Sequence, residues 1–275
     1  MIHSQLVPLC WWVWTVLQTT ILPAQRALFL CKPAFVLVIF GVSRLSGNYV
    51  KPIYFSTPTR VLHALGSMLS KGELLPAMWQ TAVIVILGFG ASAIVGIAAG
   101  LALGRSIKLR TAISPLISMA IAAPFVALLP LMEIWFGLGL LARVAFTFIL
   151  CIWLVVINTY IGVASLSASY SELAESMSLS KRESIRYIIL PGAAPYIFAG
   201  LRISAAQAIV GAVLAGQEVG ASGLGGLAGN YGSFFQTSHL IVTIVASTIL
   251  AFILFGLLRF YQSLRSPWIH ATGQG

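Results

Sequence analysis

Between about Ala77 and Leu103 the chain runs for the length of a bilayer-crossing helix without a charged residue. Further apolar runs lie at about Ile113 to Phe136, Val144 to Val163, Ala194 to Val219 and Leu240 to Leu258. A less regular one, about Ala27 to Val42, is interrupted by Lys32 and Pro33, with Lys32 able to snorkel toward an interface. Runs of this kind must satisfy their backbone polar groups internally, so the expected fold is an all-α integral membrane protein with about six transmembrane helices. Composition agrees: 59% of the residues are hydrophobic, only 8% are charged and the mean hydropathy is +0.98, far from average soluble usage.

Two of these runs carry further detail. In the first, Gly88, Ser92, Gly96, Gly100 and Gly104 recur at every fourth position, which lines small side chains along one helix face where a neighbouring helix can pack closely. The run from Ile113 is broken by Pro115, Pro124 and Pro130, whose freed carbonyls need protein or water partners, so this segment is expected to kink and line a cavity. Residues 1 to 45 form a poorly patterned N-terminal region. There Leu6 to Leu22 lacks the basic flank of a signal peptide, so cleavage is not expected, and an interfacial helix and an extra span are both open.

The most polar stretch among these runs is Ser171 to Pro191, SELAESMSLSKRESIRYIILP, with half of the six acidic residues in the chain. So charged a segment belongs in water. Ser171 can cap one short helix, with Glu172 and Glu175 in its first turn complementing the helix dipole. Ser180 and Glu183 have capping-box spacing, which starts a second helix near Ser180. Pro191 should stop or kink that helix. A helical hairpin is therefore expected between the fourth and fifth spans, the plain alternative being a solvated loop.

The net charge of +10 comes from basic residues scattered between spans, which points to anionic lipid headgroups and away from nucleic acid. If the loop after Ala77–Leu103, the hairpin and the C-terminus are cytoplasmic, that side receives Arg105, Lys108, Arg110, Lys181, Arg182, Arg186, Arg202, Arg259 and Arg265. The opposite side receives Lys51, Arg60, Lys71 and Arg143. The positive-inside rule then puts the hairpin in the cytoplasm.

Chemistry of other kinds is missing. There is no aspartate, no HExxH and no Gly-Lys pair, so neither a catalytic constellation nor a P-loop can form, and the chain is not expected to be an enzyme or to bind a cofactor. Cys10, Cys31 and Cys151 and the four histidines are dispersed, and no metal site is expected. Gly223-Leu-Gly-Gly-Leu-Ala228 satisfies a loose dinucleotide pattern, but it follows an apolar span and no acid follows it, so a flexible turn or gate is the better expectation for Gly223 and Gly225. Outside the hairpin and the Gly47 to Leu75 segment the only acids are Glu133 and Glu218, near outer helix ends, which disfavours an ion-coupled carrier. With Pro124 and Pro130 they complete the candidates for a translocation path or gate.

Glu172-Leu173-Ala174, Ser178 and Ile188-Ile-Leu190-Pro191 resemble the E-A-A-x-x-x-G-x(9)-I-x-L-P motif of permease subunits of bacterial ABC importers; Leu173 stands for an alanine and Ser178 for the glycine. Pro130-Leu-Met-Glu-Ile-Trp-Phe-Gly-Leu-Gly139, Leu190-Pro-Gly-Ala-Ala-Pro195, Ala199-Gly-Leu-Arg202 and Glu218 before Gly223-Leu-Gly225 narrow the resemblance to nitrate, sulfonate and taurine permeases. It covers about residues 50 to 265 and implies a permease domain over 46–265 with a cytoplasmic tail at 266–275. It also implies a bacterial inner-membrane location, a homodimeric pore for a small, often anionic solute, an extracytoplasmic solute-binding protein and two ATPase subunits that carry the ATP and Mg. The hairpin would then be the coupling element, with Glu172 contacting the ATPase, Glu183 holding the second helix start, and Ile188 and Leu190 packing against the bundle. A stand-alone channel or carrier and a membrane scaffold are the other function classes.

Overall fold

The structure is a computed structural model that describes residues 56–166 and 176–265. The expected Leu6–Leu22 and Ala27–Val42 segments and the tail lie outside the described residues. Two compact units divide the chain after His63, and the second, from Ala64 onward, holds the packed helices of the core. Among the described residues the secondary structure is helical throughout. The elements are α1 (Pro58–Ser70), α2 (Leu74–Arg105), α3 (Ile107–Ala122), a 3-10 turn (Phe125–Leu128), α4 (Leu129–Phe136), α5 (Leu140–Ala164), α6 (Lys181–Ser184), a π-turn (Ile185–Ile189), α7 (Leu190–Glu218), α8 (Gly223–Ser233) and α9 (Thr237–Arg265). Among the described residues four segments are long and apolar enough to cross a membrane: Leu74–Arg105, Leu140–Ala164, Arg182–Glu218 and Thr237–Leu264.

The small-residue stripe of α2 faces α5. A Cβ placed on Gly88 would lie 2.8 Å from Thr147 Cβ, on Gly96 2.8 Å from Val155 Cβ and on Gly100 2.5 Å from Thr159 Cβ, with Gly104 against Val163. Each step of four on α2 is a step of four in the same direction on α5, so the two helices run parallel. Ser92, fully buried, completes the row beside Cys151. The segment between them must therefore return across the membrane. It does so in pieces: the single kinked span expected from Ile113 to Phe136 is instead α3, a 3-10 turn and the eight-residue α4. The break falls at Ala123, held extended (φ −69°, ψ 133°) by the following Pro124, and Pro130 opens α4 where its missing N–H is not needed. Pro115 lies inside α3 without ending it.

Helix α7 is antiparallel to α5. Gly162 lies against Tyr196 and Gly200 against Asn158, each with a Cβ separation of 2.6 Å for an added methyl. Midway, the Cys151 thiol donates to the Ser204 carbonyl and the Ser204 hydroxyl donates to the Cys151 carbonyl. Around this core pack Ile84, Phe89, Val155, Ile197, Phe198 and Leu201, with α9 covering part of it through Leu250, Leu254 and Leu258. A second apolar cluster, including Leu129, Met132, Phe146, Leu150 and Val219, fixes α4 between α5 and the end of α7.

Candidate functional site

One leg of the expected hairpin is built by local chemistry. The Ser180 N–H donates to Glu183 Oε2 at 2.9 Å and the Glu183 N–H to Ser180 Oγ at 3.4 Å, the reciprocal bonds of a capping box. The helix that starts there does not stop at Pro191. One residue is absorbed in the π-turn, where the Leu190 N–H donates to the Ile185 carbonyl five residues back. Pro191 then sits in the first turn of α7, where no donor is required of it. The result is one helical rod from Arg182 to Glu218. Glu172, Leu173 and Ala174 lie outside the described residues.

Ile188 is buried, whereas Leu190 is 39% exposed. Two positions apart on a helix, Leu190 and Ile188 point to nearly opposite sides, about 200° around the axis at 3.6 residues per turn. Met177 and Tyr187 are also exposed, beside exposed Arg182, Glu183 and Arg186, so this leg presents a mixed apolar and charged surface. Ser178 has φ +51°, the left-handed region in which an L side chain is strained. Ser178→Gly should therefore raise the melting temperature of the solubilised protein by about 2 °C, from roughly 1 kcal/mol of relieved strain, and keep transport intact. A lower melting temperature would show that the serine side chain holds the turn.

The expected path residues lie toward the opposite end of α7, where Leu129 and Met132 of α4 pack with Val219. Glu218 is exposed at its end, Glu133 is half-buried on α4, and Pro124 and Pro130 are exposed at the break in the third apolar segment. The glycine segment, expected as a flexible turn, is helix α8, with Gly223 to Gly226 buried. Its first donors are satisfied by α2: the Gly223 N–H donates to Gln80 Oε1 and the Leu224 N–H to Thr81 Oγ1, both at 2.9 Å. Gly223 needs its missing side chain twice, for a φ of +66° and because a Cβ would lie 2.7 Å from Thr81 Oγ1. An open groove of about 340 Å³ runs here between α2 and α8, lined by Glu73, Gln80, Ser222, Gly223 and Asn230 among others.

Glu73 and Tyr231 are not paired by any sequence pattern, since 158 positions separate them. The Tyr231 hydroxyl donates to Glu73 Oε2 at 2.6 Å, and its ring stacks on His239 with centroids 4.8 Å apart. Burial first, then the Glu73 carboxylate, pushes the phenol pKa up to about 12, so it remains a donor at physiological pH. Nearby, the Arg143 Nε–H donates to the Val219 carbonyl at 2.8 Å and caps the end of α7.

The chain is similar to known proteins. Residues 92–264 match the family described as binding-protein-dependent transport system inner membrane component. The taurine transport system permease protein TauC of Escherichia coli is 30% identical over 224 residues, covering 80% of this chain and 82% of the relative. The formylaminopyrimidine transport permease protein ThiX of Halalkalibacterium halodurans is 25% identical, covering 85% and 94%. The nitrate import permease protein NrtB of a Synechocystis strain is 30% identical, covering 66% of each chain. A chain of the MetNI methionine ABC transporter, solved in an inward-facing conformation, superimposes with a TM-score of 0.55 at 18% identity over 68% of this chain and 94% of that one, which shows a shared fold. The helical fold is thus that of a known transporter, and this chain, a multi-pass protein of the inner membrane, belongs to the binding-protein-dependent transport system inner membrane components.

Proposed function

We propose that the chain is the permease subunit of an ATP-driven importer for a small anionic solute of the nitrate, sulfonate or taurine kind. It acts as a homodimer with two ATPase subunits that bind ATP and Mg, and it receives solute from an extracytoplasmic binding protein. The observation that carries this reading is the continuous helix from Arg182 to Glu218, π-turn included, which joins an exposed, capped surface at the basic end to the central membrane helix. A rod moves as a unit, so a displacement delivered at Arg182 and Tyr187 reaches the opposite end of the span, whereas a loop would dissipate it. Relatives named for taurine, nitrate, aliphatic sulfonates and bicarbonate support an anionic solute.

The test is purification of the tagged chain from native membranes, followed by uptake of labelled nitrate, taurine and methanesulfonate into proteoliposomes. Co-purification of a P-loop ATPase and strictly ATP-dependent uptake are expected. Uptake sustained by this chain alone would instead establish a carrier.

A further inference from the structure

Where α2 turns back into α3, the basic end of the bundle carries an open recess of about 510 Å³ lined by Arg110, Thr111, Pro115 and Tyr160. Its level is set by the packing of α2 on α5. A Cβ on Gly104, the last residue but one of α2, would lie 3.1 Å from the Tyr160 carbonyl oxygen. Ser106 caps α3 by accepting from the Leu109 N–H, which puts Arg110 in the first turn of that helix and Thr111 just beyond it. The recess therefore sits where the spans meet their charged connection, the level of lipid headgroups.

Its polar end has donors and no acid. Arg110 and Tyr160 are both half-buried, and among the described residues neither the guanidinium nor the phenol has a hydrogen-bond partner. Arg105 and Lys108 are exposed close by, and the sequence has no aspartate or glutamate between Glu73 and Glu133 to neutralise these cations. Thr111 donates its hydroxyl to the Ile107 carbonyl at 2.9 Å. Pro115 brings no N–H to the Thr111 carbonyl four residues back, so that oxygen can accept from a hydroxyl outside the helix.

The walls that run inward from this end are apolar. Thr111, Pro115 and Met119 follow one another at every fourth position of α3, and Met119 is 69% exposed. On α5, Ile157 and Trp153 stand one and two turns deeper than Tyr160, only partly buried against Leu103, Ile117 and Val156. A small hydrophilic anion would use the cation alone, whereas an amphiphile uses the cation and the apolar walls together.

From this arrangement we infer that the recess binds an anionic glycerophospholipid. Its phosphate accepts from the Arg110 guanidinium and the Tyr160 hydroxyl, a headgroup hydroxyl donates to the Thr111 carbonyl, and an acyl chain lies along Met119, Ile157 and Trp153. A guanidinium fork on two phosphate oxygens separates such a site from diffuse attraction by exposed lysines and arginines. Only the membrane placement of the chain is required, so the site stands or falls independently of the importer reading.

The experiment uses the complete complex in nanodiscs of phosphatidylcholine with a rising mole fraction of phosphatidylglycerol, and native mass spectrometry reads the lipid retained by the released protein. Phosphatidylglycerol should be retained beyond its share of the disc. Its apparent affinity should fall roughly tenfold in Arg110→Gln and roughly threefold in Tyr160→Phe, which changes no charge. Lys108→Gln removes the same charge from an exposed position and should change the affinity by less than about twofold. Equal losses in Arg110→Gln and Lys108→Gln would reduce the effect to diffuse charge and overturn the site, as would an affinity untouched by Tyr160→Phe. Displacement of the lipid by excess inorganic phosphate would assign the recess to a water-borne anion and overturn the lipid occupant. No enrichment in the parent complex would mean that protein covers the recess, which overturns it as well. ATP-dependent uptake by the same preparations tests the importer reading separately.

Discussion

Gly225→Val should leave no monodisperse permease in the solubilised membrane fraction. Helix α8 packs on α7 backbone to backbone: an added Cβ at Gly225 would overlap the Val213 carbonyl oxygen and lie 2.7 Å from Gln217 N and 2.9 Å from the Gly216 carbonyl carbon. Those atoms belong to a helix main chain and have no rotamer through which to move aside. Overpacking usually costs about 1–3 kcal/mol, and a clash with backbone on one side and a buried helix on the other belongs above that range. The control is Gly90→Ala on α2, where nothing lies within 4 Å of the new methyl. That change should be neutral or stabilising by up to about 1 kcal/mol through helix propensity. Fluorescence-detected size exclusion with a thermal series checks both, and a Gly225→Val protein melting with the parent would mean that α8 is free to detach from α7.

The contrast between these two glycines marks where sequence reasoning runs out. Every fourth residue from Gly88 to Gly104 announces a packing face because the period is carried within one helix. Capping by Ser180 and Glu183 is legible for the same reason, since both partners lie within one turn. Gly225 sits in a segment whose composition reads as a turn, and it becomes helical because Gln80 and Thr81, more than 140 positions away, accept the first N–H groups of α8. The Glu73–Tyr231 bond is invisible for the same reason. Pro191 is legible as a disturbance, but its relief by a π-turn, after which the helix continues, is not.

Charge reversal at Glu172 should abolish solute-stimulated ATP hydrolysis while the chain remains inserted and folded. Glu172 is placed by motif spacing, six residues before the strained Ser178 and sixteen before the buried anchor Ile188. In the coupling role proposed for this hairpin its carboxylate accepts hydrogen bonds from the ATPase. Removing a charged partner from such a contact costs about 2–5 kcal/mol, and lysine adds repulsion to that loss, so binding or coupling should fall by a factor on the order of 100 or more. The capping carboxylate offers the comparison that separates contact from scaffold. Glu183 is exposed and bonds to Ser180, so Glu183→Ala should loosen only the local helix start and leave hydrolysis reduced but present. Reconstituted complexes containing each variant, with insertion checked by size exclusion, give both rates on one scale. Equal, near-parental hydrolysis in the two would remove the hairpin from the coupling mechanism, and complete loss in Glu183→Ala with retention in Glu172→Lys would move the contact from the motif glutamate to the second helix start.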